Sequence, residues 1–149
     1  MRTTHLWVYG TLRQHGGAGR SITGLRGLFT GTAYLDGYEM WERGWIPYVL
    51  PVQDGHAGTI TGDLVSFHES DIGIALRYLD QYEGYHPNFE SRCAYWRRGV
   101  KVQAAGNGDI VDAWCYVSNE NLVRPYKDFG FNKIDHGDYV KYTSPWRES

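Results

Sequence analysis

The sequence is poor in cysteine, with Cys93 and Cys115 the only two among 149 residues. That is too few for a disulfide scaffold, and both sit in strand-like runs, so free buried thiols are expected. Neither thiol has a base placed beside it by the sequence, as nucleophilic cysteine chemistry requires. There is no C-x-x-C and no H-E-x-x-H, and the six histidines are scattered, which argues against a zinc site. No serine occupies a G-x-S-x-G turn, because "GRSITG" has the wrong spacing. The run "GGAGRSITG" misses G-x-G-x-x-G, since Ile22 stands where the last glycine belongs. No metal or cofactor is therefore expected. Neither charge is in excess, with 15 basic and 17 acidic residues, so nucleic acid is not expected as a partner. No apolar run approaches the roughly 20 residues that span a bilayer. The opening "MRTTHLWVYG" has no apolar signal segment. A membrane partner is not expected either, and the cytoplasm is the default location.

What is abundant is glycine (19), tyrosine (12) and tryptophan (6). Aromatics fill a β-rich core and glycines supply its corners, but the same aromatics suit a ligand cleft. Residues 5–9 alternate, Leu6 and Val8 one way and Trp7 and Tyr9 the other, which reads as a strand. A glycine-rich loop follows over 10–24, with room for a short helical turn. Further strand-like runs lie near 26–35, 38–42, 46–51, 58–67, 92–103 and 110–117, separated by short turns. One helix is well signalled in "HESDIGIALRYLDQYEG". Ser70 is its candidate N-cap, and Ile72, Ala75, Leu76, Leu79 and Tyr82 form an apolar stripe. Gly84 suits the left-handed position that ends a helix. A further helix is possible near 120–128. The whole chain, 1–149, reads as one α+β domain.

Two stretches carry candidate chemistry. Glu83 lies in the last turn of the helix, where the carbonyl end disfavours negative charge. Among aromatics its pKa would rise through desolvation and the dipole, which suits a general acid/base near neutral pH. A solvated glutamate at a frayed helix end is the plainer alternative. In "YGTL", Tyr9 to Leu12, a strand ending in Gly-Thr can turn several N–H groups into one concavity for a carboxylate or oxyanion. An ordinary glycine turn is the alternative there.

Taken together, "VYGTLR" near the start, "LDQYEGY" after one helix and "HGDY" near the end resemble the γ-glutamylcyclotransferase-like superfamily, in its AIG2-like branch of γ-glutamylamine cyclotransferases. "LFTGTAYLDGYEMWERGWIPYVLP", "AGTITGDLVSF" and "FESR" extend the likeness over most of 6–142, most weakly at 93–109 and 119–133. The resemblance implies a small mixed, mostly antiparallel β-barrel with flanking helices and a cavity at one end. It implies that Tyr9, Gly10, Thr11 and Leu12 form a substrate-binding loop and that Glu83 is the acid/base. On this reading Gly10 is bare because substrate lies against the backbone. Tyr116 in "AWCYV" matches a tyrosine often opposite that glutamate, and reads equally as a core tyrosine.

The implied reaction is intramolecular aminolysis of a γ-glutamyl amine or γ-glutamyl amino acid, releasing 5-oxoproline and a free amine. The implied partner is thus a small γ-glutamyl molecule, and the chain would be a monomer or homodimer. Asp80 is expected on a solvated helix face or bonded to a neighbouring loop, and Arg97 and Arg98 at a solvated edge. Arg92 would pair with an acid or bridge strands. "HGDY" is expected to pack the C-terminal segment over the barrel. Phe89 departs from the family, which often has tyrosine there. Two other readings stand beside this one. One is a non-catalytic module that binds γ-glutamyl ligands on the same fold. The other is a carbohydrate site, disfavoured because Asp80 and Glu83 lie on one helix rather than flanking a bond.

Overall fold

The computed structural model describes residues 3–14, 18–53 and 56–143. Residues 15–17 of the glycine-rich loop and 54–55 of the "DGHAG" turn lie outside them. The expected alternation opens the fold as β1 (His5–Val8). Trp7 and Tyr9 enter the barrel core, while Leu6 and Val8 join a second apolar cluster beneath a helix. Both faces of the strand are thus buried. A closed barrel follows in the order β1-β5-β2-β6-β7, from β2 (Leu28–Asp36), β5 (Thr59–Ser66), β6 (Tyr95–Ala104) and β7 (Ile110–Ser118). The other neighbours run antiparallel, and the parallel contact of Leu6 with Trp114 closes the ring. Closure leaves no open sheet edge in the barrel.

A second sheet, which the sequence did not separate from the barrel, has the order β4-β3-β8: β3 (Tyr38–Arg43), β4 (Ile46–Pro51) and β8 (Asn132–Lys133). Its hairpin turns at Gly44 and Trp45, both with positive φ, 58° and 67°, the handedness that two-residue hairpins favour. A tryptophan is an unusual occupant of that conformation. Glu42 Oε2 accepts the Trp45 N–H at 3.2 Å, and the Tyr139 hydroxyl donates to the Trp45 carbonyl.

Short α1 (Gly19–Gly24) follows the first loop, α2 (Glu69–Glu83) packs beside the barrel, and α3 (Tyr139–Thr143) ends the described chain. Two details of α2 correct the sequence reading. Its N-cap is His68, whose Nδ1 accepts the Ser70 N–H at 3.1 Å, so Ser70 is already inside the helix. The apolar stripe does not include Tyr82, which is 51% exposed. Buried Ala75 and Leu79 are four apart, and the next position in that row is 83. Glu83, not Tyr82, continues the inward face. Gly84 ends the helix at φ 71° as expected, and the Tyr85 N–H donates to the Asp80 carbonyl at 2.7 Å.

In place of a helix near 120–128 there are two single 3-10 turns, Glu120–Leu122 and Arg124–Tyr126. Pro125 lacks the N–H that would join them. The "HGDY" segment does lie on the barrel, where Gly137 O accepts the Thr61 N–H at 2.8 Å. Cys93 and Cys115 are buried free thiols. No helix among the described residues is long and apolar enough to cross a membrane.

Candidate active site

The chain leaves β1 with Tyr9 buried, its hydroxyl donating to the Tyr116 carbonyl at 2.6 Å. It then reverses through a turn in which the Arg13 N–H donates to Gly10 O at 3.1 Å. The Thr11 carbonyl is taken by the Ala18 N–H. The amide N–H groups of Thr11 and Leu12 donate to no partner among the described residues. Two neighbouring donors are thus available, the arrangement that receives an oxyanion or carboxylate. The turn and Tyr116 line one narrow pocket of about 40 Å³. The structure therefore brings together Tyr9, Gly10, Thr11, Leu12 and Tyr116.

Gly10 has a reason the sequence did not show. A Cβ there would lie 3.0 Å from Pro47 Cγ, so the missing side chain makes room for β4. Arg13 holds the turn from below. Its guanidinium, 8% exposed, donates to Asp138 at 2.8 Å and to Asp63 at 3.2 Å. Asp63 also accepts the Gln14 N–H at 2.8 Å. One buried cation between two carboxylates ties the 10–12 turn to β5 and to the "HGDY" segment.

Glu83 arrives from the other side, at the end of α2. It is partly buried, and burial pushes its carboxyl from 4.5 up to about 7. Tyr9, Tyr95, Cys115 and Tyr116 all have raised pKa values, each through its own burial first. The negative charge of Glu83 adds to all four, so its carboxylate lies within electrostatic reach of these side chains. The other phenols and hydroxyls there are committed: Tyr95 Oη donates to the Pro47 carbonyl at 2.9 Å, and Ser118 Oγ accepts the Val49 N–H at 2.9 Å. Glu83 is the titratable group left free to exchange a proton near neutral pH.

Tyr116 is a core tyrosine with a committed hydroxyl. Its ring is core, and its hydroxyl donates to Asp80 Oδ1 at 2.7 Å. Asp80 is accordingly not a solvated helix-face residue. Arg97 grips it through Nε at 2.9 Å and Nη2 at 3.2 Å. Arg97 also lies 4.8 Å from the Trp114 ring, so the expected solvated arginine pair is in fact engaged. Arg98 pairs with Glu90 at 2.5 Å. Arg92 neither bridges strands nor pairs with an acid among the described residues; it stands 6.0 Å over the Phe89 ring. Arg13 and Pro47 stand in the resembling stretches without an assigned role, and Tyr95 and Ser118 carry no signal in the sequence, because each makes its contact with a residue distant along the chain. The described residues contain no cluster of His, Cys, Asp and Glu able to hold a metal ion.

A closed mixed five-stranded barrel with flanking helices is a cyclotransferase-type fold. The profile of the family "Gamma-glutamyl cyclotransferase, AIG2-like" matches residues 6–141, and the chain belongs to that family. Among solved structures, an AIG2-like protein from Mus musculus is similar at 23% identity, with 93% of this chain and 89% of that one covered and a TM-score of 0.65. An uncharacterized protein from Pyrococcus horikoshii is similar at 17% identity, with 98% of both chains covered and a TM-score of 0.63. An allophanate hydrolase from Kluyveromyces lactis is similar at 13% identity over 98% of this chain but 22% of its own, with a TM-score of 0.68. At these identities the likeness is one of fold. No curated protein sequence matches the chain significantly.

Proposed function

We propose that the protein is a γ-glutamylcyclotransferase, converting a γ-glutamyl amine or γ-glutamyl amino acid into 5-oxoproline and a free amine. The observation that carries this reading is Glu83, a carboxylate on the buried row of α2 whose pKa is raised to about 7 by burial and whose charge reaches Tyr9 and Tyr116, two residues that line the pocket of the 10–12 turn. In the reaction the substrate's α-nitrogen attacks its own γ-carbonyl carbon. The new C–N bond closes the five-membered ring and the bond to the leaving nitrogen breaks. The α-nitrogen sheds two protons on its way from ammonium to lactam N–H; Glu83 accepts each in turn and passes both to the departing nitrogen, which leaves as an ammonium ion, so one group serves both steps. The 10–12 amides receive the oxyanion or the α-carboxylate. No protein nucleophile is required, since both reacting atoms arrive on one molecule. Folding the glutamyl chain back against the pocket can lower the barrier by several kcal/mol through orientation alone.

The test is release of 5-oxoproline from a panel of γ-glutamyl amines and dipeptides. Formation of 5-oxoproline with stoichiometric free amine is expected. Release of glutamate instead would indicate hydrolysis and contradict intramolecular attack. Binding of the panel without any turnover would favour the non-catalytic γ-glutamyl module.

A further inference from the structure

Beside the binding turn lies an aromatic surface that the proton transfers do not use. It begins at Pro47, which covers Gly10 and whose carbonyl accepts the Tyr95 hydroxyl at 2.9 Å. The Tyr95 ring lies parallel to Tyr48, with centroids 6.0 Å apart and planes 7° apart. Phe131 meets Tyr48 edge-on at 5.3 Å. The Arg43 guanidinium sits 5.2 Å from the Phe131 centroid at the outer end. These residues come from the end of β3, β4, the start of β6 and the approach to β8, so four separate segments converge on one surface. Tyr48, Tyr95 and Phe131 are each only partly buried.

Such an array suits a flat, uncharged group, which gains from ring stacking in addition to burial. A cationic group could also use ring faces, but the charge in contact with these rings is the positive Arg43, and Glu83, whose charge reaches Tyr95, is engaged in the proton transfers on this reading. Resting on the cyclotransferase reading, we propose that Tyr48, Tyr95 and Phe131 form the leaving-group side of the site and select substrates whose amine carries an uncharged aromatic ring. The γ-glutamyl part then lies on the 10–12 turn, the scissile amide beside Glu83, and the ring of the departing amine along Tyr95 and Tyr48.

The experiment compares kcat/KM for γ-glutamyl-phenethylamine, γ-glutamyl-ethylamine and mono-γ-glutamyl-1,4-diaminobutane, which carries a second, cationic nitrogen. The aromatic compound is expected to exceed the ethyl compound by about tenfold or more, with the cationic one no better than ethyl. Tyr48→Ala and, separately, Phe131→Leu should lower the aromatic-to-ethyl ratio several-fold. A ratio within one variant is independent of how much of that variant is folded. A wild-type ratio near unity, preference for the cation, or a ratio unmoved in Tyr48→Ala would overturn the proposal. If none of the compounds yields 5-oxoproline, the cyclotransferase reading fails by itself. Calorimetric binding of the same three compounds then decides the subsite: tighter binding of the aromatic one upholds it, and equal or absent binding overturns it.

Discussion

Replacing Glu83 by glutamine is expected to make the protein more stable, by an amount that grows with pH. The side chain is on the inward row of α2, and burial holds its carboxyl near 7 rather than 4.5. The folded state therefore binds the proton more tightly than the unfolded chain. By linkage, the stability associated with that proton is fully present below the unfolded value and is lost as pH rises through the folded value. A tenfold difference in proton affinity is worth about 1.36 kcal/mol, so ionised Glu83 costs about 3 kcal/mol above pH 8. Glutamine has nearly the same shape and no charge to desolvate. Urea unfolding of both proteins from pH 4 to pH 9 should give curves that meet near pH 4 and separate to about 3 kcal/mol at pH 9. In a chain of this size that corresponds to about 2–4 °C of melting temperature per kcal/mol. The other carboxylates titrate in both proteins and cancel in the difference. A difference that stays flat across this range would refute the burial of Glu83, and with it the tuning argument for its role.

The remaining predictions concern the frame and the chemistry. Arg13→Met leaves Asp63 and Asp138 unpaired in a nearly buried site and should destabilise the fold by about 3–5 kcal/mol, read by urea unfolding; Asp138→Asn should be milder, since Asp63 still pairs with the arginine. Gly84→Ala places a side chain at φ 71° and should cost about 1 kcal/mol, seen as a lower melting temperature. The kcat/KM for 5-oxoproline formation should rise with pH through about 7 as Glu83 ionises, and a profile without that limb would count against Glu83 as the base.

The parts of this molecule legible in its sequence are those set by local pattern. The alternation of Leu6, Trp7, Val8 and Tyr9 is a period-two signal, and Ala75, Leu79 and Gly84 mark a helix face and its stop. Even there Tyr82 reads as part of the stripe and is not, because an i+3 step drifts from the buried row while the i+4 step to Glu83 stays on it. Ser70 has the composition of a cap, yet a histidine ring nitrogen two residues earlier accepts the same kind of bond. The candidate site was nominated by its two motifs, but the contacts that close it were not. The Arg13–Asp138 contact joins residues 125 apart in the chain, and nothing local in "LRQ" or "HGDY" announces it. Likewise Pro47 against Gly10 and Tyr48 against Tyr95 exist only once the second sheet has folded onto the barrel.

Most direct is a paired measurement on wild type and Glu83→Gln, with the same γ-glutamyl amine: 5-oxoproline release, and ligand binding by calorimetry. A cyclotransferase working through Glu83 gives turnover in the wild type and none in the variant, while both bind the ligand. Equal 5-oxoproline release by both proteins would contradict Glu83 as the acid/base and the mechanism built on it.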